Sequence, residues 1–69
     1  MKSYVFAKFA TRSLEVLMVA YLDEETNCEC RFEIVVRSIS EGKVIQVEDY
    51  ETADDARRAF LNRFLSFWS

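Results

Sequence analysis

The sequence predicts an α+β domain in which a four-stranded antiparallel sheet is followed by one C-terminal helix packed on one face, in the order ββββα. Four stretches with a two-residue alternation of side chains are separated by short turn-like segments. The last stretch, residues 52–68, carries its apolar side chains at helical spacing. Connections this short favour antiparallel neighbours. With 69 residues, the chain is a single domain, residues 1–69.

Residues 4–11 predict the first strand. Val5, Ala7 and Phe9 would lie on one side of it, and Tyr4, Phe6 and Lys8 on the other. Neither side is clearly polar, so the side chain pattern leaves open which side faces the core.

Residues 14–22 predict the second strand, one side of which is entirely apolar. If that side packs on the helix, Leu17, Val19 and Tyr21 lie on the uncovered face of the sheet, bounded by Glu15 and Asp23. An exposed apolar patch with a charged border is typical of an interaction surface. In this strand, the residues predicted to face the helix are Leu14, Val16, Met18, Ala20 and Leu22. The alternative interpretation is that the same residues form a helix.

Residues 23–27 predict a hairpin turn, because three consecutive acids are followed by Thr26 and Asn27. A solvated hairpin tip is the simpler interpretation, and an acidic contact loop that includes Glu24 is the functional one. Residues 28–39 predict the third strand, and residues 43–50 the fourth, after a turn in which Gly42 supplies a positive φ. The predicted core side of the third strand consists of Cys28, Cys30, Phe32, Ile34 and Val36. In the fourth strand, Val44, Gln46, Glu48 and Tyr50 share one side, and Ile45, Val47 and Asp49 the other.

The closing helix has a clear start and an unusually wide apolar stripe. Thr52 is a good N-cap, and Asp54 and Asp55 suit the positive end of the helix dipole. A helix that packs on one sheet needs a narrower stripe than this one, so the surplus predicts a second contact. The stripe comprises Ala53, Ala56, Phe60, Phe64 and Phe67, widened by Leu61, Leu65 and Trp68.

Composition argues against several classes of function. The net charge of −3 disfavours a protein that binds nucleic acid directly, and it suits a basic protein partner. The chain has no His, one Gly and no Pro, which disfavours the common catalytic bases and phosphate-binding loops. We therefore expect neither an enzyme nor a cofactor. No apolar run is long enough for a membrane span, and Lys8 interrupts the run that a signal peptide needs, so we expect a cytoplasmic protein with no membrane partner.

Two clusters could suggest metal chemistry. Cys28 and Cys30 lie two residues apart on one side of a strand, where we expect two buried, free thiols; a zinc site shared between two chains is the alternative. The second cluster consists of five acids near the start of the helix: Glu48, Asp49, Glu51, Asp54 and Asp55. Their solvation and the charge preference of a helix start explain them, and their spacing matches no metal-binding loop. The functional alternative is an acidic surface that imitates the phosphates of a nucleic acid.

Several short features together carry a family resemblance. They are an opening Met1-Lys2 strand, Val19-Ala20-Tyr21 before an acidic hairpin tip, Glu33 followed by Val35-Val36, the pair Gly42-Lys43, and the passage Asp49-Tyr50-Glu51-Thr52. With this layout the chain resembles small phage-encoded anti-CRISPR proteins that inhibit type I systems, in particular a type I-F member. The resemblance implies that the open sheet face binds a backbone subunit of the CRISPR surveillance complex and blocks hybridisation with target DNA. It carries this role to Tyr21 and Glu33; Phe6 stands near the place of the family's first-strand tyrosine.

These observations lead to two hypotheses of different classes. The first is a phage-type inhibitor in the cytoplasm of its host, which binds a CRISPR surveillance complex by occlusion through Leu17, Val19, Tyr21, Glu24 and Glu33. The alternative is a small homodimeric protein-interaction module without catalytic activity, because small chains often gain stability from a second copy. A small metalloenzyme is disfavoured by the absence of His and of any acid pair in a known motif.

Overall fold

The computed structural model describes residues 2–68 of the chain, with side chains for residues 2–66, and it has the predicted ββββα order. The elements are β1 Lys2–Ala10, β2 Leu14–Leu22, β3 Glu29–Ser38, β4 Lys43–Tyr50 and α1 Ala53–Trp68. The strands form one antiparallel sheet in the order β1-β2-β3-β4, and α1 packs on one face of it. The predictions for the side chains of Phe67 and Trp68 lie outside the described residues.

The core lies between the two central strands and the helix. The inward sides predicted for β2 and β3 are confirmed at their centres, where alternate residues are buried and register opposite one another. Ala56 of α1 is fully buried, and its small side chain lets the helix approach the sheet closely over β3 and β4. The buried residues are Val16, Met18, Ala20, Phe32, Ile34, Val36 and Ala56.

A β-bulge in β1 explains why its pattern left the inward side open. Val5 registers with Val19, but the next registered pair is Ala7 with Met18, so Phe6 is the extra residue. Directly opposite residues share a face, which places Val5 on the face away from the helix, whereas Ala7 packs against the core. Neither of the two alternating sets in the sequence therefore stays on one side of the sheet.

The expectation that Cys28 and Cys30 are buried is wrong, because both are free and exposed thiols. Cys28 precedes β3, and a register shift leaves Cys30 without a directly opposite residue on β2, since Leu22 pairs with Glu29 and Tyr21 with Arg31. The bulge takes the start of β3 out of the alternation that buries its centre.

The side assignment of β4 needs a similar correction at its first residues. A register shift between Val36 and Arg37 pairs Val36 with Gln46 and Arg37 with Val44. Val44 therefore belongs to the opposite side from Gln46, and the sequence prediction that they share a side is wrong.

The turns use the residues that the sequence indicated. In the β2–β3 turn, the Asp23 carboxylate accepts a hydrogen bond of 2.8 Å from the backbone N–H of Glu25, and Asn27 has a φ of 58°. Gly42 has a φ of 67° in the β3–β4 turn, a conformation that strains a residue with a Cβ atom.

The helix begins as predicted. The Thr52 hydroxyl accepts a hydrogen bond of 3.2 Å from the backbone N–H of Asp55, and Asp54 and Asp55 occupy the first turn. The surplus apolar residues Leu61 and Leu65 do not pack on the sheet, since they are 56% and 60% exposed.

Substitution of Ile34 by Ala is expected to lower the free energy of unfolding by about 2–5 kcal/mol, because it empties a fully buried site. The control Val47→Ala, on a side chain that is 48% exposed, should cost no more than about 1 kcal/mol. Urea denaturation followed by circular dichroism measures both. Equal losses for the two variants would contradict the placement of the core.

Thr52→Ala is expected to cost about 1 kcal/mol, because the N–H of Asp55 loses its acceptor at the helix start. Thr52→Ser keeps a hydroxyl at this position and should retain most of that stability. The comparison requires urea midpoints of the three proteins under one buffer condition. A Ser variant as unstable as the Ala variant would show that the hydroxyl does not cap the helix.

Candidate functional site

The candidate site is the open face, the side of the sheet opposite α1. No element among residues 2–68 covers it. The strand register defines the cross-strand rows of this face, since directly opposite residues share a side. In one row Lys8, Leu17, Val35 and Val47 run across all four strands; in the next, Val5 and Val19 lie beside Glu33 and Asp49.

An apolar band crosses the open face from one sheet edge to the other. Its residues on the central strands, Leu17, Val19 and Val35, are half-buried by their neighbours alone. Its residues on the edge strands, Val5 and Val47, are 52% and 48% exposed. A continuous apolar strip that no part of the fold covers is typical of a surface that contacts another molecule.

A polar group, the Tyr21 cluster, borders the band on the side nearer the β2–β3 turn. The Tyr21 hydroxyl donates a hydrogen bond of 2.9 Å to the Glu33 carboxylate, and the Arg31 guanidinium lies 4.5 Å from the centre of the Tyr21 ring. Arg31 also lies 3.9 Å from Glu33 and 3.8 Å from Asp49. Glu33 and Asp49 are directly opposite on neighbouring strands, so Arg31 offsets the repulsion between two like charges.

The hydrogen bond to Glu33 is the main reason that the pKa of Tyr21 lies above its ordinary value of 10.0; desolvation and the Glu33 charge add to it, and Arg31 opposes it. Tyr21 is therefore held in its protonated, hydrogen-bond-donating form at neutral pH. The ring is fixed in position by Glu33 on one side and by Arg31 over its face, so little side-chain entropy remains to be lost on binding.

The other border of the band is an ion pair between Glu15 and Arg37. Beside this pair, an open depression of about 540 Å³ lies at the β1 bulge, lined among others by Val5, Lys8 and Leu17. The open face is therefore apolar across its centre, with fixed polar groups at both ends and a recess near the edge strand.

The structure brings four of the five predicted binding residues together. Leu17, Val19, Tyr21 and Glu33 lie on neighbouring strands of the open face, although the first three are half-buried rather than fully exposed. Glu24 lies apart from them, exposed in the β2–β3 turn beyond the last row of the sheet.

Four residues of this face were not predicted from the sequence: Val5 and Val47 on the edge strands, and Arg31 and Val35 on β3. Val5 was missed because the β1 bulge breaks its alternation, and Val47 because a single edge-strand side chain gave no signal. Arg31 and Val35 belong to the side of β3 opposite its predicted core side, where the sequence prediction named only Glu33 as a binding residue. The signal for them was present in the sequence. The side chains of β3 that alternate with its core residues lie next to the open-face residues of β2 when the two strands pair.

The described residues also bear on other chemistry. Among residues 2–68, no group of three or more His, Cys, Asp or Glu side chains is arranged to hold a metal ion. Over the same residues, the structure contains no helix with the length and apolar character needed to cross a bilayer.

Comparisons with known proteins found no relative of this chain. No protein-family model, no curated protein and no solved structure matches it.

The raised pKa of Tyr21 predicts how the stability of the fold changes at alkaline pH. Because the folded-state pKa exceeds the unfolded value of 10.0, the stabilisation from Tyr21 is complete below pH 10.0 and is lost as pH rises through the folded-state pKa. Glu33→Gln removes the carboxylate and should move the Tyr21 pKa down towards its ordinary value. Titration of the Tyr21 ring resonances by NMR gives the pKa of Tyr21 in the wild type and in the variant. A Tyr21 pKa that is the same in both would show that Glu33 does not hold the hydroxyl.

Proposed function

We propose that this chain is a non-catalytic binding protein whose open face docks on a basic surface of a larger protein complex and blocks that surface by occlusion. The proposed target is a CRISPR surveillance complex of the host cell, which would no longer bind target DNA once the chain is bound. The observation that carries the proposal is the uncovered apolar band with the Tyr21 cluster at its border.

The apolar band supplies the nonspecific part of the binding energy. Its exposed ends, Val5 and Val47, lie on the two edge strands, so a partner that lies flat on the sheet covers the whole width of it. The central residues are already half-buried, so a partner needs to cover little additional surface to exclude water from them. Removal of such a surface from water favours association by roughly 25 cal/mol per Å² before the entropic cost of association is subtracted.

The Tyr21 cluster supplies specificity. Tyrosine is among the residues that most often dominate binding energy at protein interfaces, and this ring is already held in place. The carboxylates of Glu33 and Asp49 contact Arg31 only at 3.8–3.9 Å, so they retain acceptor sites for an Arg or Lys of the partner. A basic partner surface therefore fits this end of the open face.

The distribution of acids supports the same partner chemistry. The antiparallel order brings the β2–β3 turn, the end of β4 and the start of α1 to one end of the sheet, next to the Tyr21 cluster. A concentration of one charge sign there accelerates encounter with a basic surface. The acids at this end are Asp23, Glu24, Glu25, Glu29, Asp49, Glu51, Asp54 and Asp55.

The test is a pull-down with the tagged chain from a bacterial lysate that contains type I surveillance complexes, followed by measurement of target DNA binding by the recovered complex. The wild type should recover the complex and reduce its DNA binding. Tyr21→Ala combined with Glu33→Ala should weaken inhibition by about thirty-fold or more, as expected when interface anchors worth about 2 kcal/mol are removed.

The matched control is Leu61→Ser combined with Leu65→Ser, which changes two exposed side chains on the opposite side of the molecule and should leave inhibition intact. Unchanged inhibition by the Tyr21 and Glu33 variant would remove the open face as the binding site. Failure of the wild type to recover the complex would remove the CRISPR target. Circular dichroism of each variant separates loss of binding from loss of fold.

A further inference from the structure

The helix does not lie over the middle of the sheet. Its backbone approaches β3 and β4 most closely, and Arg63 forms an ion pair with Glu48 of β4. Towards β1, the contacts are made by long side chains: the Phe9 ring lies 5.2 Å from that of Phe60 and 5.3 Å from that of Phe64, centre to centre. The helix therefore leaves β1 only partly covered on its own side of the sheet.

This offset exposes an apolar helix flank, formed by Leu61 and Leu65 on α1 with Tyr4 and Phe6 on β1. Leu61 and Leu65 are one helical turn apart and are 56% and 60% exposed, and Tyr4 and Phe6 are 40% and 38% exposed. The Arg57 guanidinium, one helical turn before Leu61, lies 5.4 Å from the centre of the Phe6 ring and so connects α1 with β1 at this flank. The helix flank and the open face are on opposite sides of the sheet.

The sheet edge beside the flank is poorly suited to adding another strand. β1 carries Lys2 and Lys8 and no acid, and its ladder is interrupted by the bulge at Phe6. Lysines and bulges on an edge strand oppose pairing with the edge of another sheet. A partner of this flank therefore packs on the side chains of the helix rather than extending the sheet.

The charges along α1 favour a second copy of the same helix in the antiparallel direction. The first turn carries Asp54 and Asp55, but the last turn of the described helix has no basic residue to offset the negative end of its dipole. Arg58 precedes Leu61 by three residues, so it lies on the same side of α1. When Leu61 of each copy faces Leu65 of the other, Arg58 of each copy reaches the last turn of its neighbour's helix.

We propose that the chain forms a two-fold symmetric homodimer through the helix flank, with the two α1 helices antiparallel. Such an interface is self-complementary, as two-fold symmetry requires. It also supplements a core with only seven buried apolar residues among those described, and oligomerisation is a common means of stabilising a domain this small. The open face stays free in this dimer, so each copy retains its own binding surface.

Sedimentation velocity and light scattering from micromolar to millimolar concentration test the dimer. The wild type should have the mass of two chains at the upper concentrations. Leu61→Ser combined with Leu65→Ser should give a monomer with unchanged secondary structure, because both side chains are exposed within one chain. Arg58→Glu should raise the dimer dissociation constant about tenfold, because it reverses two charges that face helix C-terminal ends.

The matched control is Val44→Ser combined with Ile45→Ser, which alters two apolar side chains of similar exposure, 54% and 55%, on the other edge strand. This variant should dimerise like the wild type. A monomeric wild type at millimolar concentration, a dimeric Leu61 and Leu65 variant, or dissociation by the control variant would each overturn the proposal. The result is independent of the open face, since the Tyr21 and Glu33 variant should still dimerise.

Discussion

The packing of the central strands against Ala56 is the interaction on which the rest of the structure depends. Alternate residues of β2 and β3 are buried beneath the helix, and a fully buried alanine lets the helix backbone come close to β3. Because strand side chains alternate between faces, this packing places Leu17, Val19 and Val35 on the open face. The core and the candidate site are two sides of the same two strands.

Three register shifts modify what that alternation would otherwise produce. In β1, the shift between Val5 and Ala7 puts Val5 on the open face and so extends the apolar band to the edge of the sheet. In the β2–β3 pair, the shift near Leu22 leaves Cys30 at the surface. A bulge that adds one residue changes the face of every side chain beyond it, so a local irregularity determines the composition of a surface.

The molecule presents two apolar surfaces with different physical character. The open face crosses all four strands, and its polar groups are already paired, as Tyr21 is with Glu33. The helix flank consists of Leu61 and Leu65 on α1 with Tyr4 and Phe6 on β1. The preordered polar groups are the reason for proposing a foreign partner at the open face. The leucine pair beside a helix end without a basic residue is the reason for proposing a second copy of the chain at the helix flank.

The sequence by itself determined the element order, the capped start of α1 at Thr52 and the inward sides of β2 and β3, because these follow from local hydrogen bonding and from alternation within a single segment. It also indicated four residues of the open face. Only the tertiary structure decided where Val5, Val44 and the two cysteines lie, since a bulge depends on how a strand registers with its neighbour. The tertiary structure alone brought Arg31 over Tyr21 and left Leu61 and Leu65 uncovered, because both depend on where one element lies against another.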